Sequence, residues 1–423
     1  MGTDLFFVIF SRSAPLSVLD MLPDNRLYLI NKALATGQLP SLYRFTYQIP
    51  LAGHAPESPG SRMDTHISHT FHTGAQCRIT GSERLSTFSI QEMGMDNPTH
   101  QQKSKPDYTD DVPEALSRAR GCLLGQLAGD ALGSLVEFQT PEQIRAAHPR
   151  GVRQLADGGT WNTIAGQPTD DSEMALLLAR MLVKQGKYDQ DEARKAYLYW
   201  LDSGPFDCGT TILTGLRGQP DPESQANGAL MRISPLGIFG VNHDPRQITE
   251  WAELDAALTH PHPICRQANA LFVQAIAYTI RTGTGPWELH EQILRWAKER
   301  NVENSLLEAI SGAAQAPPED YVHQQGWVLI AFRNALWQLL HAPSLEDAVV
   351  DTIMRGGDTD TNAAICGALL GSVHGQDAIP GQWAECLLNC RPENGKPGVR
   401  HPRPECLWPV DAPELAKQLL IRN

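Results

Sequence analysis

The 423-residue sequence lacks any apolar run that approaches the roughly 18 residues of a membrane-spanning helix. Its first apolar stretch, residues 5–10 (LFFVIF), follows Asp4 and has only Arg12 as a nearby basic residue. A secretory signal instead begins with basic residues and continues over a longer apolar stretch to a small-residue cleavage site. We therefore expect no membrane partner and a cytoplasmic location.

The sequence also has fewer basic than acidic residues. The chain has 35 Lys and Arg residues against 48 Asp and Glu residues, which gives a formal net charge of −13. Contact with a phosphate backbone requires clustered Lys and Arg, so this balance argues against a nucleic-acid partner. A small anionic ligand remains compatible, because bound metal cations reverse the local field.

The CxxC spacing of redox and zinc sites does not occur. The eight cysteines are scattered, and the nearest two, Cys386 and Cys390, are four residues apart. In a chain of this length such a distribution is typical of reduced, buried thiols in a reducing compartment.

The amino-terminal region is predicted to be an extension. A helix is expected over residues 25–37, and residues 43–49 (YRFTYQI) alternate as a strand does. Residues 52–112 are dominated by Gly, Ser, Thr, His, Pro and Gln without apolar periodicity, which predicts a linker. Three histidines there, His66, His69 and His72, would share a face only on a helix, so an exposed polar tract is the favoured interpretation over a metal site.

From Pro113 onward the sequence is typical of helices. Apolar residues recur with i, i+3, i+4 spacing in residues 174–182, 268–276 and 327–340. Gly121, Gly125 and Gly129 would be costly in an exposed helix, so they predict a groove against which another backbone packs. We expect a compact all-α, multi-helix domain over residues 113–423, preceded by a loosely structured extension over residues 1–112.

Two acidic motifs carry the clearest chemistry, TDDS (169–172) and GGDTDT (356–361), and each directly precedes a helix. Together they supply four aspartates and, from each motif, a threonine hydroxyl. Magnesium and manganese prefer such hard oxygen ligands, and a two-metal site takes its carboxylates from different segments. We expect one Asp of each motif to lie in the turn itself. An N-cap role would explain only one Asp in each motif, so a metal site is the favoured interpretation.

A third segment, NGALMR (227–232), places Gly228 beside Asn227. This pair permits a tight turn whose backbone N–H groups could face a diphosphate, although an ordinary turn is the default interpretation.

Taken together, the motifs resemble those of the ADP-ribosylglycohydrolases, the group that includes dinitrogenase-reductase-activating glycohydrolase and the ADP-ribosyl-acceptor hydrolases. They occur in the family's order and span about residues 115–400. The matching segments are GDALGSLVEF (129–138), the block from Trp161 through Gly166 to TDDS (161–172), DCGTT (207–211), NGALMR (227–232), LTHPHP (258–263) and GGDTDTNAA (356–364).

The resemblance implies an all-α fold with two Mg²⁺ (or Mn²⁺) ions. It also implies that Glu137 faces the substrate near the metals, that Asp207 is a further acidic residue of the cleft, and that either one acts as the base. By the same matches, Asn227 and Gly228 would lie along the diphosphate and His260 would contact the ADP-ribose. The implied metal ligands are Thr169, Asp170, Asp171, Asp358, Asp360 and Thr361.

The implied activity is removal of ADP-ribose from a modified protein, with ADP-ribosyl-arginine the first expectation and another ADP-ribose linkage an alternative. Bacterial relatives include immunity proteins that counter an ADP-ribosyltransferase toxin, some through an amino-terminal extension. A second hypothesis is therefore a binding protein that blocks a cognate transferase toxin through residues 1–112.

Overall fold

The computed structural model describes residues 44–47, 69–70, 76–81, 86–89 and 112–421. The chain divides into two compact units, Met1–Pro106 and Asp107–Asn423.

The described part of the first unit is a small antiparallel sheet with strand order β1-β4-β3-β2. Phe88 lies opposite both Phe45 and Ile79. The strand predicted over residues 43–49 contains β1, whereas the other three strands lie where the composition predicts a linker. The strands are β1 (Arg44–Tyr47), β2 (His69–Thr70), β3 (Gln76–Gly81) and β4 (Ser86–Ser89).

Three other expectations concern residues of this unit. His69 belongs to β2, but His66 and His72 lie outside the described residues. The apolar stretch at residues 5–10 and the helix predicted over residues 25–37 lie outside them too.

In the second unit, residues 112–421 form fifteen α-helices and no strand, which confirms the all-α prediction. None of these helices is long and apolar enough to cross a membrane. The helices are α1 (Val112–Gly133), α2 (Pro141–Ala147), α3 (Asp170–Gln185), α4 (Gln190–Asp202), α5 (Thr210–Leu216), α6 (Ser234–Phe239), α7 (Pro245–Ala257), α8 (Pro263–Thr282), α9 (Pro286–Glu299), α10 (Asn304–Gly312), α11 (Val328–His341), α12 (Leu345–Met354), α13 (Thr359–His374), α14 (Gly381–Asn389) and α15 (Ala412–Ile421).

The glycine stripe of α1 packs directly on the backbone of α13. A Cβ atom added to Gly125 would lie 2.2 Å from the carbonyl oxygen of Gly367, which is closer than any side chain tolerates. The predicted groove is therefore confirmed, because the backbone of α13 packs directly on the backbone of α1. The facing pairs are Gly121 with Gly371, Gly125 with Gly367 and Gly129 with Ala363.

This packing fixes both acidic motifs to α1. The hydroxyl of Thr359 donates to the carbonyl oxygen of Gly133 at 2.7 Å, which ties the start of α13 to the end of α1. The buried amide of Gln126 donates to the carbonyl oxygens of Asp171 at 3.4 Å and Met231 at 2.9 Å. The three segments that carry functional motifs therefore share one rigid support.

Candidate active site

The two acidic motifs form the amino-terminal ends of α3 and α13. Asp170 and Asp171 lie in the first turn of α3 with Thr169 at its N-cap, whereas Asp358 is the N-cap of α13 and Asp360 lies in its first turn. The expectation of one aspartate in each turn is thus wrong for the first motif, where Thr169 takes that position. Neither N-cap side chain makes a capping hydrogen bond, so capping does not account for the paired aspartates of the two motifs.

Asp130 of α1 performs the capping instead. Its carboxylate accepts hydrogen bonds from the backbone N–H of Thr169 (3.1 Å), the hydroxyl of Thr169 (2.8 Å) and the backbone N–H of Ser172 (3.1 Å). These bonds satisfy donors at the start of α3 that its own residues would otherwise have to cap. Sequence reasoning missed this residue, and its signal was an aspartate inside a helix of small buried residues.

Glu137 and the two aspartates of the second motif form a buried cluster, and the aspartates of the first motif interact with it electrostatically. Oxygen atoms of Glu137, Asp358 and Asp360 all lie within 4.8 Å of one another, and the three residues are buried. Glu137, expected to face the substrate, is therefore close to two of the predicted metal ligands. Asp171 interacts electrostatically with this cluster. Burial is the main cause of the raised pKa of Asp360, and the charges of Glu137 and Asp171 raise it further.

Burial and mutual repulsion raise the pKa values throughout this cluster. The pKa values of Asp170, Asp171 and Asp360 lie well above the usual range, chiefly because burial disfavours the charged form. Burial and the charges of Asp207 and Asp358 raise the pKa of Glu137 to about 8. The pKa of Asp207 is raised to about 6 by burial and by nearby aspartates. Among residues 112–421, no lysine or arginine is one of the main influences on these pKa values.

Two carboxylate oxygens of the cluster have no hydrogen-bond donor within the described part of the chain. Asp171 Oδ1 and Asp360 Oδ2 are both buried and unpartnered. An unpartnered buried carboxylate oxygen is costly, and a divalent cation would satisfy it. The surrounding donors are carboxylate and hydroxyl oxygens, the set that Mg²⁺ and Mn²⁺ prefer, so these residues fit such ions.

The predicted diphosphate segment is tied to the second motif. The amide of Asn227 donates to Asp358 Oδ2 at 2.7 Å, and the backbone N–H of Asn227 donates to Gly326 at 2.9 Å. A Cβ on Gly228 would lie 3.2 Å from His260 Cε1, so the imidazole packs directly against this turn.

His260 itself is completely buried. Its Nδ1 is 2.7 Å from the hydroxyl of Thr259, and its Nε2 has no partner among the described residues. Burial and the charge of Arg232 lower its pKa to about 3, so the ring is neutral. In this structure it contacts the turn, and the contact with ADP-ribose that the family resemblance implies stays a prediction.

Asp207 lies in the loop before α5, and the carboxyl-terminal region fixes that loop. Arg403 donates to the carbonyl oxygens of Ser203 and Gly204 at 3.1 and 3.0 Å. The same guanidinium binds both carboxylate oxygens of Glu173 on α3, at 2.7 and 2.8 Å, and both side chains are buried. Sequence reasoning missed Arg403, because residues 390–404 carry no periodic pattern.

The family model described as ADP-ribosylglycohydrolase matches residues 111–416. The chain is 30% identical over 285 residues to an ADP-ribosyl-[dinitrogen reductase] glycohydrolase of Rhodospirillum rubrum, an alignment that covers 65% of this chain and 92% of the relative. It is 27% identical over 289 residues to ADP-ribosylarginine hydrolase Tri1 of Pseudomonas putida, covering 64% of this chain and 74% of the relative.

A human relative, ADP-ribosylhydrolase ARH3, is 25% identical over 326 residues, which covers 64% of this chain and 89% of that protein. A solved structure described as an ADP-ribosylglycohydrolase-related protein complex superposes with a TM-score of 0.59 at 24% identity. It covers 73% of this chain and 99% of the other, and at this identity the likeness concerns the fold alone.

Proposed function

Since the chain belongs to the ADP-ribosylglycohydrolase family and is an ADP-ribose-removing hydrolase, we propose that it cleaves the bond between ADP-ribose and an arginine side chain of a modified protein. The activity depends on two divalent cations, Mg²⁺ or Mn²⁺. The observation that carries the proposal is the buried carboxylate cluster with its unpartnered oxygens on Asp171 and Asp360. The arginine linkage is supported by the similarity to the ADP-ribosylarginine hydrolase of Pseudomonas putida.

The residues at the starts of α3 and α13 would hold the cations. Asp130 accepts the donors at the start of α3, which leaves the carboxylates of Asp170 and Asp171 available. The glycine contact between α1 and α13 sets the distance between the two motifs. The ligand set is Thr169, Asp170, Asp171, Asp358, Asp360 and Thr361, with Glu137 adjoining it.

When bound, the cations supply positive charge for the ribose hydroxyls near C1″ and for charge that develops as the glycosidic bond breaks. A water oxygen forms the new bond to C1″ while the bond from C1″ to the guanidine nitrogen breaks. The water's proton passes to Glu137 or Asp207 and from that carboxyl to the departing guanidine nitrogen, so arginine leaves as a guanidinium and the carboxylate is restored. Both carboxylates meet the requirement for this role, because neither is used as a helix cap and both have raised pKa values.

The remaining proposed contacts position the nucleotide. Asn227 and Gly228 lie along the diphosphate, where the missing side chain of Gly228 leaves room for phosphate oxygens. His260 packs beneath the turn and keeps Gly228 in place.

A panel of substrates tests the proposal. The full-length protein with Mg²⁺ is incubated with peptides that carry ADP-ribose on arginine or on serine, and with O-acetyl-ADP-ribose, and released ADP-ribose is quantified. We expect the arginine-linked peptide to have the highest kcat/KM. Faster cleavage of another linkage would contradict the arginine assignment while leaving the hydrolase class intact.

A further inference from the structure

Three aromatic side chains lie beside Glu137 and Asp207, the two carboxylates proposed above as the base. Phe138 directly follows Glu137, and Phe206 directly precedes Asp207. Trp161 lies between them, with its ring centroid 6.5 Å from that of Phe138 and 5.9 Å from that of Phe206. We name Phe138, Trp161 and Phe206 the aromatic rim.

Phe138 combines an exposed aromatic ring with an unusual backbone conformation. Its side chain is 54% exposed, and its φ of 65° lies in the left-handed region that a phenylalanine rarely adopts. Its backbone N–H donates to the carbonyl oxygen of Gly357 at 2.8 Å, while the N–H of Gly357 donates to Gln139 at 3.1 Å. The fold therefore maintains backbone strain that presents a large ring to solvent beside the second acidic motif, and such strain concentrates at functional sites.

The other two rings are fixed by polar and stacking contacts. The indole N–H of Trp161 donates to Glu137 Oε2 at 2.6 Å, which couples the rim to a carboxylate of the cluster. His401 Nε2 donates to the carbonyl oxygen of Trp161 at 2.8 Å, and its ring lies 4.6 Å from that of Phe206. Segments far apart in sequence thus preorganise the rim before a ligand arrives.

Aromatic faces beside carboxylates suit a planar cation. A guanidinium stacks on aromatic rings and is attracted by negative charge, whereas a neutral serine hydroxyl gains little from either. Glu137 accepts the indole N–H of Trp161 and Asp207 directly follows Phe206, so a guanidinium on the rim would lie beside two carboxylates that are outside the proposed set of metal ligands.

Resting on the proposed function, we propose that the aromatic rim binds the guanidinium of the ADP-ribosylated arginine and is the specificity-determining element for that acceptor. The rim contacts the leaving group, and the cation and diphosphate contacts hold the ADP-ribose part. Acceptor recognition and ADP-ribose recognition are then separable by substitution.

The test uses the full-length, Mg²⁺-loaded protein and two readouts, kcat/KM on an ADP-ribosyl-arginine peptide and the Kd of free ADP-ribose, which lacks a guanidinium. For Phe138→Leu and for Phe206→Leu we expect kcat/KM to fall about tenfold, while the Kd of ADP-ribose stays within about twofold of wild type. Phe138→Tyr keeps the ring face and should retain most of the wild-type activity. Trp287→Leu removes a similarly exposed aromatic residue at the start of α9 and should change neither readout.

Unchanged kcat/KM in both leucine variants, or an equal loss of ADP-ribose affinity, would overturn the role of the rim. These outcomes differ from failure of the proposed function, in which the wild-type protein itself releases no ADP-ribose from arginine. That failure would remove both proposals together.

Discussion

Buried aspartates in this site fall into two kinds. Asp130 is fully buried, but its carboxylate is satisfied by donors from Thr169 and Ser172. Asp171 and Asp360 each keep one buried oxygen without a donor. The contrast shows that the fold supplies donors where an aspartate is structural and leaves oxygens available where a cation would bind.

Asp358 offers the sharpest single substitution. Asp358→Asn preserves shape but removes a charged oxygen from the cluster, so we expect turnover to fall more than about a hundredfold. The metal-free variant should be at least as resistant to thermal unfolding as wild type, because one repelling charge is gone. Activity assays and thermal unfolding check both points, with the exposed Asp377→Asn as control. Normal turnover with two equivalents of metal still bound would refute the ligand assignment.

Cation affinity should depend on pH. The pKa of Glu137 is raised to about 8 and that of Asp207 to about 6 in the metal-free protein, so these carboxyls hold protons that a cation has to displace. We expect affinity for Mg²⁺ or Mn²⁺ to rise between about pH 5.5 and 8.5, with protons released on binding. Calorimetric titrations in two buffers of different ionisation enthalpy count those protons. Constant affinity across this range without proton release would contradict the prediction.

The same shifts act on stability in the metal-free protein. Because the folded-state pKa values are raised, the contribution of these carboxyls to the free energy of unfolding is fully present below their ordinary values of 4.5 and 3.8. It is lost as the pH rises through about 6 and about 8. Added cation should therefore raise the Tm more at pH 8 than at pH 6.

Sequence alone predicted the carboxylates of the two motifs, because paired aspartates before helices carry a local signal. It did not predict Asp130, whose role depends on where α3 starts relative to α1. Local sequence patterns do not predict the role of Arg403 either, since its partner Glu173 lies 230 residues earlier in the sequence. The carboxylates could be predicted because their motifs are local in sequence. The contacts of Asp130 and Arg403 that support them depend on tertiary packing.

At the scale of elements, the contact between α1 and α13 determines the geometry of the site. Gly125→Ala would place a Cβ 2.2 Å from the Gly367 carbonyl oxygen, and no rotamer change relieves a clash with backbone. We expect a loss of about 3 kcal/mol or more in the free energy of unfolding, together with reduced turnover as α13 shifts. Denaturant unfolding and activity assays measure both effects.

Gly381→Ala is the matched control, because a Cβ there meets nothing within 4 Å and the residue begins helix α14. It should be neutral or slightly stabilising. If Gly125→Ala and Gly381→Ala have the same free energy of unfolding and the same turnover, α1 and α13 do not need the close glycine contact. The glycine stripe would then not determine the geometry of the site.

Periodicity predicted the helical segments that became α3, α8 and α11, and the glycine spacing predicted that α1 packs on main chain. The elements that sequence reasoning could not place are irregular ones, such as the loop that carries Asp207 and the segment that carries His401. Their conformations follow from ion pairs and stacking with distant residues, for which no spacing rule exists.

At the scale of the whole molecule, the separation into two units predicts that hydrolysis is independent of the extension. Every residue of the proposed site lies in the second unit, Asp107–Asn423. We expect a protein lacking residues 1–112 to retain ADP-ribose release within about threefold, because α1 and its packing partners remain.

The truncated protein also separates the two hypotheses for residues 1–112. Preserved hydrolysis with weakened binding to, or protection against, a cognate ADP-ribosyltransferase would support a partner-binding arm. Aggregation or complete loss of activity would show that the extension belongs to the hydrolase fold, and the partner hypothesis would be wrong.

A titration of the metal-stripped, full-length protein with Mn²⁺ tests the central claim most directly, with ADP-ribose release from an ADP-ribosyl-arginine peptide recorded at each step. The cluster built from the two acidic motifs predicts no turnover without cation and a rise that saturates at two equivalents. Full turnover in the metal-stripped protein, or activity that does not respond to Mn²⁺ or Mg²⁺, would contradict a divalent-cation site at these aspartates.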